Sequence, residues 1–99
     1  MLQRLAQERS VAANVIFHNR FVSLKELVEF IARSLVDNPD QVSVTEDANG
    51  PNILLELRVG QGDMGRVIGR QGRVVNAMRS LVQFSAARQA KRAQLEIVD

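Results

Sequence analysis

Val67-Ile68-Gly69-Arg70-Gln71-Gly72 is the stretch that decides the fold, because it places a G-x-x-G tetrad between two segments with helical spacing. Glycine has no Cβ, so a turn at Gly69 and Gly72 can adopt positive φ and let another backbone approach closely. The next helix would direct its free N–H groups and positive dipole end at this turn. Arg70 and Arg73 add charge. The stretch predicts a grip on a phosphodiester backbone, although a bare G-x-x-G is most often only a turn.

The residues before the tetrad predict one helix followed by a strand hairpin. Ser23 and Glu26 have the spacing of a capping box at the start of a helix, which Asp37-Asn38-Pro39 ends. Two alternating segments then flank a turn at Asn49-Gly50-Pro51, which indicates an antiparallel pair. The alternating apolar positions are Val42 and Val44 in the first strand and Ile53, Leu55, Leu57 and Val59 in the second.

The residues around and after the tetrad predict two helices and a last strand. Asp63 is placed to cap a short helix that runs through Ile68. A long amphipathic helix should follow to about Ala90, and alternation over residues 95–98 predicts the strand. The predicted order is α-β-β-α-α-β. We therefore expect an α+β fold in which helices pack on one face of a three-stranded mixed sheet, with a crossover to the last strand.

Charge is distributed unevenly along the chain. The formal net charge is +2, but residues 22–57 contain two basic and seven acidic side chains. Residues 58–92 contain eight basic side chains and one acid, Asp63, and they surround the tetrad. A one-sided positive field is typical of nucleic-acid binding. Two alternatives stay open: the basic run can be a solvated helix face, and the acidic half can be a surface for binding another protein.

Composition excludes several classes of function. The chain has no cysteine and one histidine, His18, so thiolate sites are excluded and no metal ligand set is recognisable. No apolar stretch approaches the roughly 18 residues of a membrane span, and the longest apolar run near the start is Val15-Ile16-Phe17. Four phenylalanines are the only aromatic residues, which argues against an aromatic stacking platform. We expect a cytoplasmic protein with no membrane association, no metal, no cofactor and no catalytic residues.

One enzyme-like motif competes with this interpretation. Residues 60–65 spell G-x-G-x-x-G between a predicted strand and a predicted helix, as in dinucleotide-binding proteins. The acidic partner for the ribose, due about 20 residues later, is missing near residues 82–85. Asp63 would also put a carboxylate where pyrophosphate must lie. A simple entry to a short helix is the better interpretation.

Three stretches, the last of which contains the tetrad, match the pattern of a family of small bacterial proteins. They are Leu24-Lys25-Glu26-Leu27-Val28-Glu29-Phe30-Ile31 running into Leu35-Val36-Asp37-Asn38-Pro39; Leu55-Glu56-Leu57-Arg58-Val59; and Asp63-Met64-Gly65-Arg66-Val67-Ile68-Gly69-Arg70-Gln71-Gly72-Arg73. Through them, residues 23–98 resemble the single-KH-domain RNA-binding proteins of the KhpA (YlqC-like) family. The resemblance implies a type II KH domain over residues 22–99. Residues 1–21 match nothing in that family, and we expect them to be a poorly ordered N-terminal extension.

The resemblance also implies a function. It implies binding of single-stranded RNA in the bacterial cytoplasm without catalysis, as an RNA chaperone or post-transcriptional regulator linked to cell length and cell-wall synthesis. It further implies work with a larger KH-containing protein, KhpB. Because one KH grip on about four nucleotides binds weakly, a homodimer or a heterodimer with a KhpB-like chain is expected through avidity.

The candidate RNA contacts lie on the tetrad and the helices beside it. The arginines should meet phosphates, and two polar side chains further along should touch bases or sugars. The apolar pair before the tetrad should partly form a floor for bases or else be core, and the core is favoured more for Val67 than for Ile68. The expected set is Arg66, Val67, Ile68, Gly69, Arg70, Gln71, Gly72, Arg73, Asn76 and Arg79.

Overall fold

The computed structural model describes residues 23–98 and confirms the predicted element order. The expected extension at residues 1–21 lies outside the described residues. Single 3₁₀ turns precede β1, α2 and α3. The elements are α1 (Leu24–Leu35), β1 (Ser43–Asn49), β2 (Asn52–Arg58), α2 (Met64–Ile68), α3 (Arg73–Ala87) and β3 (Arg92–Ile97).

The sheet has the order β1-β2-β3, so β2 is central and β3 is an edge strand. β1 runs antiparallel to β2, with Val44 opposite Leu57. β2 runs parallel to β3, with Leu55 opposite Leu95. The sheet is therefore mixed, as the sequence predicts, and the parallel pair is the one that α2 and α3 connect.

The hydrophobic core lies between the helices and one face of the sheet. Alternate residues of β2 are buried, which is the burial pattern of a strand with one covered face. Leu55 and Leu57 are fully buried there, against Val28 of α1 and Val82 of α3. Burying each such side chain contributes about 1.5–3 kcal/mol relative to leaving it in water. This shared core fixes the position of α3, which carries three of the ten candidate residues, Arg73, Asn76 and Arg79.

The predicted cap of α1 is confirmed. The Ser23 hydroxyl accepts a hydrogen bond from the Glu26 backbone N–H at 3.1 Å. The helix ends at Leu35, and Pro39 begins a 3₁₀ turn shortly after it. Sequence signals at both ends of this helix are local, so the sequence reveals them directly.

The boundaries at the C-terminal end of α3 differ from the sequence expectation. The helix ends at Ala87 rather than about Ala90, and β3 begins at Arg92 rather than near residue 95. The Lys91 N–H donates to the Ala86 carbonyl and Ala90 has a φ of 57°, which together form a Schellman-type end. Arg92 then donates its N–H to the Pro51 carbonyl. With this bond, pairing with β2 begins three residues before the start that the sequence predicts for β3.

Candidate nucleic-acid interface

The tetrad forms an open turn between α2 and α3. φ is 77° at Gly69, 59° at Gln71 and 75° at Gly72, so three of its four residues have left-handed φ values. Glycine adopts such values freely, whereas Gln71 does so at a cost. The turn is tied at its base, where the Gly69 N–H donates to the Gly65 carbonyl at 2.9 Å.

The turn exposes positive side chains and the N-terminal end of α3 to solvent. Arg70, Gln71 and Arg73 are exposed. Gly72 is the N-cap of α3 and offers no side-chain acceptor, and the first turn of α3 contains no acid. The positive end of this 15-residue helix is therefore left for an external anion.

Arg66, the first arginine of the candidate set, is already engaged by acidic groups. One of its terminal nitrogens lies 3.0 Å from Asp37 Oδ2, and its Nε lies 3.8 Å from Asp63 Oδ1. The Arg66 side chain is still 55% exposed. Arg66 thus links α2 to the loop that follows α1, and a phosphate contact there has to compete with Asp37.

Asp63 does not cap α2 as the sequence predicts. Its side chain makes no capping bond and is only 2% exposed. Its two carboxylate oxygens instead accept hydrogen bonds from the backbone N–H groups of Asp37 and Asn38, each at 3.1 Å. A buried carboxylate needs such partners, and the loop after α1 supplies them. Asp63 therefore joins the start of α2 to the end of α1.

The apolar pair before the tetrad divides between core and surface. Val67 is 0% exposed and belongs to the hydrophobic core, which was one of its two interpretations. Its side chain is not available to a base. Ile68 is 37% exposed and is the member of the pair that can contact a ligand. Val67 is also the member of the pair that the sequence favours for the core.

Asn76 and Arg79 are brought together on α3. Arg79 donates from its terminal nitrogen to Asn76 Oδ1 at 3.3 Å and from Nε to the Leu95 carbonyl of β3 at 3.1 Å. Both side chains therefore lie along the edge of the sheet rather than extending freely. Arg73, Asn76 and Arg79 lie on one helix that begins directly after the tetrad.

The competing dinucleotide motif does not form the corresponding site. Residues 60–65 make a 3₁₀ turn and enter α2, and the described residues form a sheet of only three strands. Gly60 is buried, and a Cβ there would collide with the Gln41 side chain. The Gln41 side chain is exposed and can rotate away, so this glycine marks a close contact with Gln41 and not a phosphate-binding turn.

The described residues contain neither a candidate metal site nor a candidate membrane span. No group of three or more histidine, aspartate or glutamate side chains is placed to hold a metal ion within residues 23–98. In the same part of the chain, no helix is long and apolar enough to cross a membrane.

Comparison with known proteins agrees with this geometry. The family model described as KhpA/KhpB, KH domain, matches residues 25–97. The chain belongs to the KhpA/KhpB KH-domain family. The order α-β-β-α-α-β is the expected type II arrangement of the KH domain, and residues 69–72 are hereafter called the GXXG loop.

Several curated relatives are similar over nearly their whole length. RNA-binding protein KhpA of Halalkalibacterium halodurans is 49% identical over 76 residues, which is 77% of this chain and 100% of the relative. RNA-binding protein KhpA of Clostridium acetobutylicum is 47% identical over 75 residues, or 76% of this chain and 100% of the relative. The protein of that name from Listeria monocytogenes is 38% identical over 76 residues, or 77% of this chain and 100% of the relative. No solved structure matches the chain significantly.

Proposed function

We propose that this KH domain binds single-stranded RNA through the GXXG loop and catalyses no reaction. The observation that carries the proposal is the open turn, in which Gly69 and Gly72 have positive φ and Arg70 and Arg73 are exposed. A phosphodiester backbone can approach such a turn closely and meet both the arginines and the positive end of α3. The similar proteins named RNA-binding protein KhpA support the same ligand.

In this proposal the residues in and around the GXXG loop fall into three groups with different contacts to RNA. The GXXG loop, with Arg66 and Arg73, holds phosphates and reads no sequence. Ile68 provides apolar contact for bases. Asn76 and Arg79, already joined to each other, are placed to donate to base edges or sugars further along α3.

Because one such site grips only about four nucleotides, we propose that the protein acts with a second KH chain, as a homodimer or with a larger KhpB-like partner. Two linked sites raise the effective affinity without any new contact on either site. Phe30 and Phe84 are 67% and 49% exposed, which leaves apolar surface for a partner. The wider role proposed is that of a cytoplasmic RNA chaperone or post-transcriptional regulator affecting cell length and cell-wall synthesis. We propose that residues 22–99 form the KH domain that binds RNA.

The test is filter binding or fluorescence anisotropy with a labelled pool of mixed oligoribonucleotides, alongside single-stranded DNA of the same lengths. Saturable binding of RNA at physiological salt is the expected result. Absence of binding even at low salt would remove the proposal. Crosslinking followed by sequencing of bound RNA would then identify the targets, and light scattering would give the oligomeric state.

A protein-interaction module on the KH scaffold is the second candidate. The exposed face of the sheet favours it, because Glu56 and Glu96 are opposite each other on adjacent strands and Asp47 lies on the same face. Like charges placed directly opposite each other are destabilising, although Arg58 and Arg92 lie on the same face and offset part of this charge. A basic protein partner would lower the remaining repulsion, and this candidate moves ahead if RNA does not bind.

A further inference from the structure

The ion pair between Asp37 and Arg66 is placed at the entrance to the GXXG loop. Arg66 belongs to α2, which leads directly into Gly69. Asp37 lies in the loop after α1 and meets Arg66 at 3.0 Å. The side chains of Asp37 and Arg66 are 68% and 55% exposed, so an external anion can reach the Arg66 guanidinium.

The position of Asp37 does not depend on this ion pair. Its backbone N–H donates to the buried carboxylate of Asp63 at 3.1 Å, and the next residue, Asn38, does the same. The backbone is therefore fixed from the interior of the protein. The Asp37 carboxylate therefore remains within reach of Arg66 when the ion pair is broken, which makes it a local competitor for that guanidinium.

We propose that Asp37 competes with an RNA phosphate for Arg66 and thereby sets the affinity of the GXXG site. This rests on the proposed RNA binding. When RNA binds, the Arg66 guanidinium leaves the Asp37 carboxylate and pairs with a phosphate that also contacts the loop. Asp37 is then a tuning residue of the site, and it weakens binding without touching a base.

The exposure of the ion pair determines how large a change in RNA affinity is expected when Asp37 is replaced. An exposed ion pair is worth about 0.2–1 kcal/mol, so exchanging its carboxylate for a phosphate costs little. Removing the carboxylate should tighten RNA binding about twofold to fivefold, which corresponds to about 0.4–1 kcal/mol, the upper part of that range.

The experiment is a double-mutant cycle on the full chain, with anisotropy of a labelled mixed-sequence oligoribonucleotide as the readout. Asp37→Asn removes the charge and retains the backbone N–H that bonds to Asp63, and Asp37→Ser repeats the test with a shorter side chain. Each should bind about twofold to fivefold more tightly than wild type. In an Arg66→Gln background the gain should vanish, because the competed group is gone.

Asp47→Asn is the matched control, since it makes the same change in net charge on the exposed face of the sheet. It should tighten binding less, and equally in both backgrounds. A gain from Asp37→Asn that equals the control, or that persists with Arg66→Gln, would overturn the proposal. Thermal melting of every variant confirms that the fold is kept.

A second measurement follows the guanidinium itself. The NMR signal of the Arg66 Nε–Hε group should shift on Asp37→Asn in the free protein and on adding RNA to wild type. No response to RNA would also overturn the proposal. If wild type binds RNA and the cycle shows no coupling, only the competition fails; if wild type binds no RNA, the proposed function fails and the competition with it.

Discussion

The backbone of Gly69 lies directly against Val74 of the next helix. A Cβ placed on residue 69 would come within 2.9 Å of both the Cβ and the backbone nitrogen of Val74. Real Cβ atoms essentially never approach other atoms so closely, and the φ of 77° is unfavourable for any residue with a side chain. Gly69 is therefore required by the fold as well as by the proposed ligand.

The first prediction is that Gly69→Ala destabilises the domain and abolishes RNA binding. Gly69 combines φ 77° with ψ 169°, a conformation that is essentially confined to glycine and costs about 1–3 kcal/mol for other residues, and the contact with Val74 adds to this cost. Urea denaturation should show a loss of about 2 kcal/mol or more. Gly65→Ala is the control, because nothing lies within 4 Å of its added Cβ and it lies in α2. Alanine there should be neutral or stabilising by up to about 1 kcal/mol. Equal stability of the Gly69 variant and wild type would contradict the prediction.

The second prediction concerns the exposed centre of the GXXG loop. Replacing Arg70 and Gln71 together by Asp should abolish RNA binding while leaving the fold intact. The two side chains bury little, so the free energy of unfolding should change by about 0.5 kcal/mol or less for each. Two carboxylates facing phosphates can cost several kcal/mol of binding free energy. Circular dichroism and anisotropy measure the two effects separately.

The matched control for that double variant is Lys25→Asp with Asn49→Asp. Both positions are exposed, at the start of α1 and at the end of β1, and the change in net charge is the same. This control should retain most of the RNA affinity. Wild-type affinity in the Arg70/Gln71 variant would mean that the loop is only a turn.

The third prediction is a strong dependence of RNA affinity on salt. The exposed arginines of the loop and its flanks suggest about two to four phosphate contacts, and each should contribute about −0.7 to the slope of log K against log salt. A titration series between low and physiological salt should therefore give a slope of about −1.4 to −2.8. Affinity that is independent of salt would contradict a grip on the backbone.

The fourth prediction is that Asp63→Asn costs the fold about 1–3 kcal/mol. The amide has one acceptor oxygen, so one of the two N–H groups at residues 37 and 38 loses its partner, and an unsatisfied buried group carries that cost. Asp40→Asn, at an exposed site on the neighbouring 3₁₀ turn, should change stability by about 0.5 kcal/mol or less. Equal melting of the two variants would show that the buried carboxylate does not hold the loop.

The fifth prediction is that residues 1–21 are dispensable for the domain. A chain beginning at Val22 should unfold cooperatively and melt within a few degrees of the full chain, because the family match begins at residue 25. Calorimetry of both chains provides the measurement. A large drop in Tm would show that the segment packs on the core.

The sequence predicts the fold and the loop well because their signals are local. The cap at Ser23, the alternation in β2 and the G-x-x-G tetrad each lie within a few residues, and each has a direct physical consequence. The role of Asp63 could not be predicted in this way, because its partners lie 26 and 25 residues earlier in the chain. The one sign of a special role for Asp63 in the sequence is that it is the only acid among the basic residues 58–92.

The side chains near the site show the same limit. The sequence places Arg66 beside the tetrad but does not show that Asp37 engages it. Arg79 is likewise held by Leu95, 16 residues away. Contacts across the fold decide which arginines are available, and periodicity within one helix carries no information about them.

The bond from Arg79 to the Leu95 carbonyl also bears on aggregation. β3 is an edge strand, and an edge strand with free backbone groups is a template on which another chain can add a strand. Arg79 occupies one of the carbonyls that an incoming strand would need, and it brings a positive charge to that edge. A side chain that is a candidate to meet RNA also blocks one position for strand addition, so we expect a change at Arg79 to alter solubility independently of any effect on RNA binding.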